Sequence, residues 1–354
     1  PCVFGIPVSS CKTAQKDMLA GVLPQRFGEP AGLATAGNFN NPIGLPLTLL
    51  KLTGAHRYAV IEMGMSHFGE LAQLTQIARP DVALVNNALR AHVGCGFDGV
   101  GDIAKAKSEI YQGLNADGLA LIPCEDANAA VFQTASKAFK QHTFGVGQGD
   151  IHAGNIVLQP LSCAFDLVRG GERAAVLLPV PGKHNIHNAV AAAALALAAG
   201  LRLQEVSDGL QSFANIKGRL QIKSGIKNAV VLDDTYNANP DSMKAALDVL
   251  AALPTPRVFV MGDIGELGED ESAAMHAEVG AYARDKGIEA AYFVGGFSAA
   301  AAEAFGGRGL WFADKDPLIQ VLLHDLPEQA HVLVKGSRFM KMEEVVQALQ
   351  GAEK

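Results

Sequence analysis

Short apolar runs alternate with helix-length segments along nearly the whole chain, and this alternation narrows the fold more than any other feature. The run CVFGI is followed by a helical stretch at Thr13–Leu23, YAVIEM (58–63) by Phe68–Ala78, DVALVNN (81–87) by Val100–Leu114, and GLALIP (118–123) by Asp126–Phe139. Strands separated by helices imply βαβ units and a parallel sheet. Residues 151–180 break the rhythm: NIVLQP, CAFDLV and AAVLLPV read as strands with no helix between them, and Gly170-Gly171 sits where a hairpin turns, so a small antiparallel insert is expected. An Ala-rich helix from about Asn185 to Ala199 is stopped by Gly200, and a shorter helix runs to Phe213. Alternation resumes after Gly218-Arg219 with NAVVLDD, a helix over 240–252 capped by Asn239 with Pro240 at its first position, RVFVMGD, a helix over 270–286, AAYFVGG, a helix over 298–305, LWFA, a helix over 316–323, HVLVKGS and a helix over 339–350. A length of 354 residues suits two domains of about 150 residues each, and the expected division is 1–216 and 217–354.

The composition excludes several classes of function. Hydrophobic residues make up 49% and charged residues 18%, enough apolar surface for a packed core and far from the signature of disorder. Lys plus Arg number 29 against 36 Asp plus Glu, a net charge of −7 with no basic run, which argues against nucleic acid as a partner. The longest apolar stretch, Ala189 to Ala199, is about half of the ~20 residues that cross a bilayer, so no membrane insertion is expected. The opening PCVFGIPVSS lacks the charged segment and cleavage site of a signal peptide and reads as a strand entered mid-domain, which points to a cytoplasmic chain and to a fragment. Five cysteines, widely spaced and without a CxxC pair, indicate neither a disulfide framework nor a zinc site.

The first strand-to-helix junction carries the first chemical signal. Val8-Ser9-Ser10-Cys11-Lys12-Thr13 places small residues, then Lys-Thr, where a helix begins. Loop amides and a helix N-terminus bind phosphate oxygens, a Lys meets the β- and γ-phosphates, and a Thr hydroxyl ligates magnesium. A polar strand-to-helix turn explains the same residues in isolation. The glycines of GCGFDGVG (94–101) imitate a dinucleotide fingerprint, but Ala88–Val93 separate them from the preceding strand and the signal is discounted.

Read in order, the runs GNFNNPIGLPLTLL (37–50), IEMG (61–64), NN…AH (86–92), AKSEIY (106–111), GKHNIHNA (182–189), KGR (217–219), DDTYNANPDSM (233–243), MGDIGELG (261–268) and VKGSR (334–338) closely resemble the Mur ligase family. The resemblance covers essentially the whole chain, and its Asn-rich segments GNFNNPIG and DDTYNANP match the member that adds a terminal dipeptide to the peptidoglycan precursor. It implies an α/β fold: a central P-loop-type parallel-sheet domain that binds ATP and carries a small antiparallel insert, followed by a Rossmann-like C-terminal α/β domain. It also implies a further N-terminal domain for the uridine nucleotide, absent from these residues. The implied substrates are UDP-MurNAc-tripeptide and D-alanyl-D-alanine, with ATP and Mg2+ as cofactors, and a monomer is expected.

A carboxylate resists attack by an amine, so ATP first converts it to an acyl phosphate, and magnesium and cations must surround the γ-phosphate. By resemblance Thr13, Glu62 and His92 hold magnesium, Lys12 and Arg219 act on the phosphates, and Ser9 and Ser10 line the phosphate loop. Lys107 matches a lysine that carbon dioxide carbamylates into an oxygen-bearing anion, a reaction that needs the neutral amine and therefore burial. His184, Asn185 and Asn188 match nucleotide contacts. Asp234, Tyr236, Asn237 and Asn239 match residues facing ATP and the dipeptide. Asn38, Asn40 and Asn41, with Lys335, Ser337 and Arg338, complete the expected substrate contacts. Plainer readings stand beside these: a solvated strand-end carboxylate for Glu62, a loop histidine for His92, a surface lysine for Lys107, helix capping for one of Asn185 and Asn188 and for Asn239, an interdomain salt bridge for Arg219, and ordinary loop charges for 335–338. ATP contacts are expected from the first domain and dipeptide contacts largely from the second, with closure about 215–219.

The chain departs from the family in the phosphate loop. The family pattern has Thr at position 7 and Gly at 8 and 11, where this chain has Pro7, Val8 and Cys11. Pro removes a backbone donor and Val resists positive φ, at a cost of about 1–2 kcal/mol per forced position. Three readings stay open: an ATP-dependent amide ligase, a non-catalytic relative that binds nucleotide or peptide, and a folate polyglutamate ligase, against which GNFNNPIG and DDTYNANP speak.

Overall fold

The computed structural model describes residues 1–7, 12–28, 31–90, 96–213 and 218–351, with the side chains of 12–14, 269 and 270 left aside. Two compact units result: 1–89, 96–179 and 183–214 form the first, and 90–95, 180–182 and 215–354 the second.

The first unit is built on a nine-stranded sheet ordered β2-β3-β1-β4-β5-β6-β7-β8-β9. Its strands are β1 (Cys2–Pro7), β2 (Gly32–Ala34), β3 (Tyr58–Met63), β4 (Val82–Leu84), β5 (Leu119–Pro123), β6 (Lys140–Gly145), β7 (Ile151–Leu158), β8 (Cys163–Arg169) and β9 (Glu172–Leu178). The strands from β2 to β6 pair in parallel, while β7, β8 and β9 form antiparallel ladders joined at Gly170-Gly171, where Arg169 faces Glu172. The expected antiparallel strands are therefore present, but they extend the same sheet, because Phe144 of β6 pairs with Ile151 of β7. Strand β3 is buried along its entire length, as a central parallel strand covered on both faces requires. The Ala-rich helix Lys183–Ala198 is buried on nearly every side, which its small side chains permit.

Several elements escape the sequence reading. β2, β10 (Gln221–Ser224) and the helix Gly44–Leu49 are short, the last contains Pro46, and β6 is mostly polar. The segment read as a single helix over 100–114 is an α-helix only over Val100–Ser108, continued by a 3-10 turn at Glu109–Gly113, so Lys107 is the penultimate residue of the α-helix and Tyr111 lies on the tighter turn. Tyr111 is fully buried, its hydroxyl donating to the Leu121 carbonyl at 3.0 Å.

The second unit has a six-stranded sheet ordered β10-β11-β15-β12-β13-β14, comprising β10 (Gln221–Ser224), β11 (Val230–Asp234), β12 (Arg257–Gly262), β13 (Ala290–Val294), β14 (Gly309–Phe312) and β15 (His331–Lys335). Only β10 runs antiparallel. Leu247, Phe259 and Phe293 anchor the core on one face, and Val260, Leu318 and Val346 on the other. The helix Pro240–Ala251 begins as its sequence dictates: Pro240 occupies the first turn and the Asn239 side-chain oxygen accepts from the Ser242 N–H at 2.8 Å.

Arg90 belongs to this unit and grips two helices. Its guanidinium bonds Asp241 at 2.7 Å and Glu278 at 2.9 Å, and Lys244 also pairs with Glu278. These cations, Arg90 foremost, hold the Glu278 carboxyl down at about 2, from 4.5. A carboxyl depressed by folding stabilises the fold above its unfolded pKa and loses that contribution as the pH falls through its folded one. In acid denaturation, wild type is expected to exceed Glu278→Gln in stability above pH 4.5 and to lose that lead as the pH falls toward about 2.

Gly295 permits a second anchor. Its φ is +118°, and a Cβ there would lie 2.4 Å from the Asp263 carboxylate. That carboxylate cannot retreat, since Oδ1 accepts from the Ser298 N–H at 2.8 Å and from the Ser298 hydroxyl. Gly295→Ala is expected to cost about 2–3 kcal/mol in urea denaturation, combining left-handed strain with overlap.

Candidate functional site

In an α/β sheet, ligands gather beyond the carboxyl ends of the strands, and in both units the candidate residues cluster there. In the first unit Glu62 is the penultimate residue of β3 and only 1% exposed. Its N–H donates to the Thr35 hydroxyl at 3.0 Å, and its Oε1 pairs with Lys16 Nζ at 3.0 Å. Lys16 also donates to the Thr35 carbonyl at 3.1 Å, so Thr35 steadies both members of the ion pair. The plainer reading of Glu62 as a solvated carboxylate is thereby corrected: it is buried and paired.

The Asn-rich segment meets the same strand end. Gly64 N–H donates to the Asn40 carbonyl at 2.7 Å, and Asn41 turns its side-chain oxygen to the Gly44 N–H at 2.8 Å, starting the short helix Gly44–Leu49. Asn38 and Asn41 are exposed and Asn40 is half-buried.

Lys107 is buried to 2%, with its Nζ donating to the Asn87 carbonyl at 2.8 Å, so the surface-lysine reading is also corrected. The neighbouring Asn86 donates through Nδ2 to Asn188 Oδ1 at 3.0 Å and accepts at its carbonyl from His187 Nε2 at 2.8 Å. Burial lowers the His187 pKa, which keeps its ring neutral with the proton on Nε2. The loop after β4 thus links Lys107 to the first turns of the Ala-rich helix, on which Asn185 is buried and His184 half-buried. Sequence reasoning missed Lys16 and His187. Its only signal for Asn86 was the Asn-Asn pair at a strand end.

In the second unit the adjacent strands β11 and β15 place Asp234 opposite Lys335. Lys335 Nζ, 1% exposed, donates to Asp234 Oδ2 at 2.6 Å and to the Asn237 carbonyl at 2.9 Å. Lys335, expected among the substrate contacts, is paired within its own sheet here and holds the 234–237 loop. Tyr236 N–H donates to the Gly218 carbonyl at 3.1 Å, and the Arg219 guanidinium stacks 4.4 Å above the Tyr236 ring. Ser337 is 4% exposed, and its hydroxyl accepts from the Gly265 N–H at 2.7 Å. Arg338 is exposed and pairs with Glu343 at 2.8 Å. Asn239 spends its side-chain oxygen as the helix cap.

The second unit therefore brings together Arg219, Asp234, Tyr236, Asn237, Asn239 and Ser337, and the first ties Lys107 and Asn188 to the successive residues Asn87 and Asn86, and Asn40 to Gly64, two residues beyond Glu62. Of the residues expected around magnesium and the phosphates, Glu62 and Lys107 belong to the first unit and Arg219 to the second. His92 lies outside the described residues with Ser9 and Ser10, as do the side chains of Lys12 and Thr13, whose backbone opens the helix Lys12–Val22. Among the described residues no group of three or more His, Cys, Asp or Glu could hold a metal by itself, and no helix is long and apolar enough to cross a membrane.

Each of the two α/β units carries a buried lysine–carboxylate pair at its strand ends, and sequence comparison shows the family to which they belong. Residues 9–196 match the Mur ligase middle domain and residues 218–338 the Mur ligase, glutamate ligase domain, so the chain belongs to the Mur ligase family. It is 43% identical over 352 residues to the UDP-N-acetylmuramoyl-tripeptide–D-alanyl-D-alanine ligase of Escherichia coli, covering 98% of this chain and 76% of that one. The ligase of the same name from Haemophilus influenzae is 40% identical, with 99% and 77% covered. A crystal structure of MurF from Acinetobacter baumannii superposes with a TM-score of 0.90 at 38% identity, covering 98% of this chain and 76% of that one.

Proposed function

We propose that this chain is an ATP-dependent amide ligase that joins D-alanyl-D-alanine to UDP-MurNAc-tripeptide through an acyl phosphate, a cytoplasmic step of peptidoglycan precursor synthesis. The observation that carries the reading is 43% identity over 98% of the chain to a ligase of that name. Residues 1–216 are assigned to ATP binding and 217–354 to the C-terminal Mur ligase domain.

The donor chemistry suits magnesium. Glu62 offers a buried carboxylate, Thr13 a hydroxyl, and Lys107, carbamylated, further oxygen; hard cations prefer oxygen donors. His92 is assigned to the same ion. When bound, magnesium supplies positive charge to the phosphate oxygens. The protein's own residues do the remainder. Lys12, with Ser9 and Ser10, holds the phosphates, and Arg219, fixed on the Tyr236 ring, presents a guanidinium to the transferring phosphoryl group. His184, Asn185 and Asn188 face the nucleotide, with Asn188 held by Asn86. Asp234 joins the nucleotide contacts; Tyr236, Asn237, Asn239, Lys335, Ser337 and Arg338 orient the dipeptide, and Asn38, Asn40 and Asn41 the tripeptide.

The test is ATP-dependent phosphate release by the full-length protein given UDP-MurNAc-tripeptide and D-alanyl-D-alanine, with Lys12→Ala as control. Release that stops when the dipeptide is withheld supports the reading, and release no greater than the control refutes it. Val8 and Cys11 favour a second reading, a nucleotide- or peptide-binding relative without turnover, which binding of ATP without phosphate release would establish.

A further inference from the structure

In the second unit a buried polar chain runs from residues not assigned above to Ser337. His276, on the helix Glu269–Asp285, is fully buried. Its Nδ1 donates to the Ser272 carbonyl one turn back at 2.7 Å, which leaves Nε2 as a bare acceptor, and Nε2 takes the Ile264 N–H at 2.9 Å. Ile264 is 2% exposed, so its amide has no water to turn to, and an unsatisfied buried N–H costs about 1–3 kcal/mol. The residues on either side of Ile264 both hold Ser337: Asp263 accepts from the Ser337 N–H at 3.0 Å, and Gly265 donates to its hydroxyl at 2.7 Å. On the far side the Asp263 carboxylate is locked by Ser298. Ser337 is thus held from both neighbours of the one residue that His276 anchors.

We propose that His276 is a positioning residue of the ligase reaction, fixing the 263–265 segment so that Ser337 is presented to the incoming dipeptide. The inference rests on the proposed function for its substrate and on the hydrogen-bond chain for its geometry. A histidine serves here because its ring carries a donor and an acceptor on opposite sides: one pins the ring to its own helix, and the other reaches the loop. Gln can place an oxygen near the position of Nε2; Asn is too short.

The experiment compares His276→Asn and His276→Gln in the full-length protein. His276→Asn is expected to raise the KM for D-alanyl-D-alanine about tenfold while leaving the KM for ATP within about twofold, and His276→Gln to recover most of the loss. Amide hydrogen exchange supplies a readout independent of turnover: in His276→Asn, exchange at Ile264, Gly265 and Ser337 is expected to quicken about tenfold, with the rest of the second unit unchanged. A His276→Asn chain that loses its fold, that handles ATP and dipeptide equally badly, or that exchanges faster throughout the unit assigns His276 to the core alone and overturns the proposal. Absence of turnover in wild type refutes the ligase reading instead, and the local exchange pattern still decides whether His276 holds the loop.

Discussion

Glu62→Gln is expected to lower ATP-dependent phosphate release by about 100-fold, equivalent to the loss of about 2.7 kcal/mol of transition-state stabilisation. The substitution keeps the shape of a side chain that is 1% exposed and removes only its charge. If the carboxylate serves magnesium, its loss weakens the charge compensation around the phosphates. Calorimetry separates this from damage to the fold: the magnesium-dependent part of nucleotide binding should disappear, while binding without the metal persists. Stability should fall as well, by about 1–3 kcal/mol, because Lys16 would retain its bond to the Thr35 carbonyl but lose the carboxylate. Unchanged turnover in a folded Glu62→Gln protein would remove Glu62 from the site.

Replacing Val8 and Cys11 together by glycine should act in the opposite direction. Each side chain stands where the family pattern has none, and each forced position costs about 1–2 kcal/mol. Relief of both corresponds to a rise in kcat/KM for ATP of about 30-fold or more. Pro7 immediately before them closes β1 as a buried strand end, paired in register with Met63, and is left in place in this test. Equal turnover in the parent and the double variant would show that the loop functions with these residues, and silence in both would locate a defect elsewhere.

The regular parts of the fold were legible because long strands with branched apolar residues and capped helices announce themselves locally. Asn239-Pro240 fixed a helix start to the residue, and Gly170-Gly171 fixed a two-residue turn. β2 and β10 were missed because three- and four-residue strands leave too little pattern, and β6 because KQHTFG is mostly polar. The site divided along the same line. Candidates on named motifs could be listed, but which charges neutralise one another depends on strand order. Nothing near Lys335 in sequence indicates that Asp234, 101 residues away, faces it across a parallel ladder. His276 belongs to no motif, and nothing in GKHNIHNA distinguishes His187 from its neighbours; each is defined by the backbone group that it meets in three dimensions.

The ladder that joins β11 to β15 also restricts how such a protein can diverge. Discarding Asp234 would strand an ammonium in the interior, and discarding Lys335 would strand a carboxylate; either single step carries a penalty of about 3–5 kcal/mol, whereas exchanging both at once for apolar partners of similar volume removes the charges together and leaves only the bonds to the Asn237 carbonyl and the Leu220 N–H to be made good. Change at one position therefore waits on change at the other, and descendants should show the two substituted jointly or not at all.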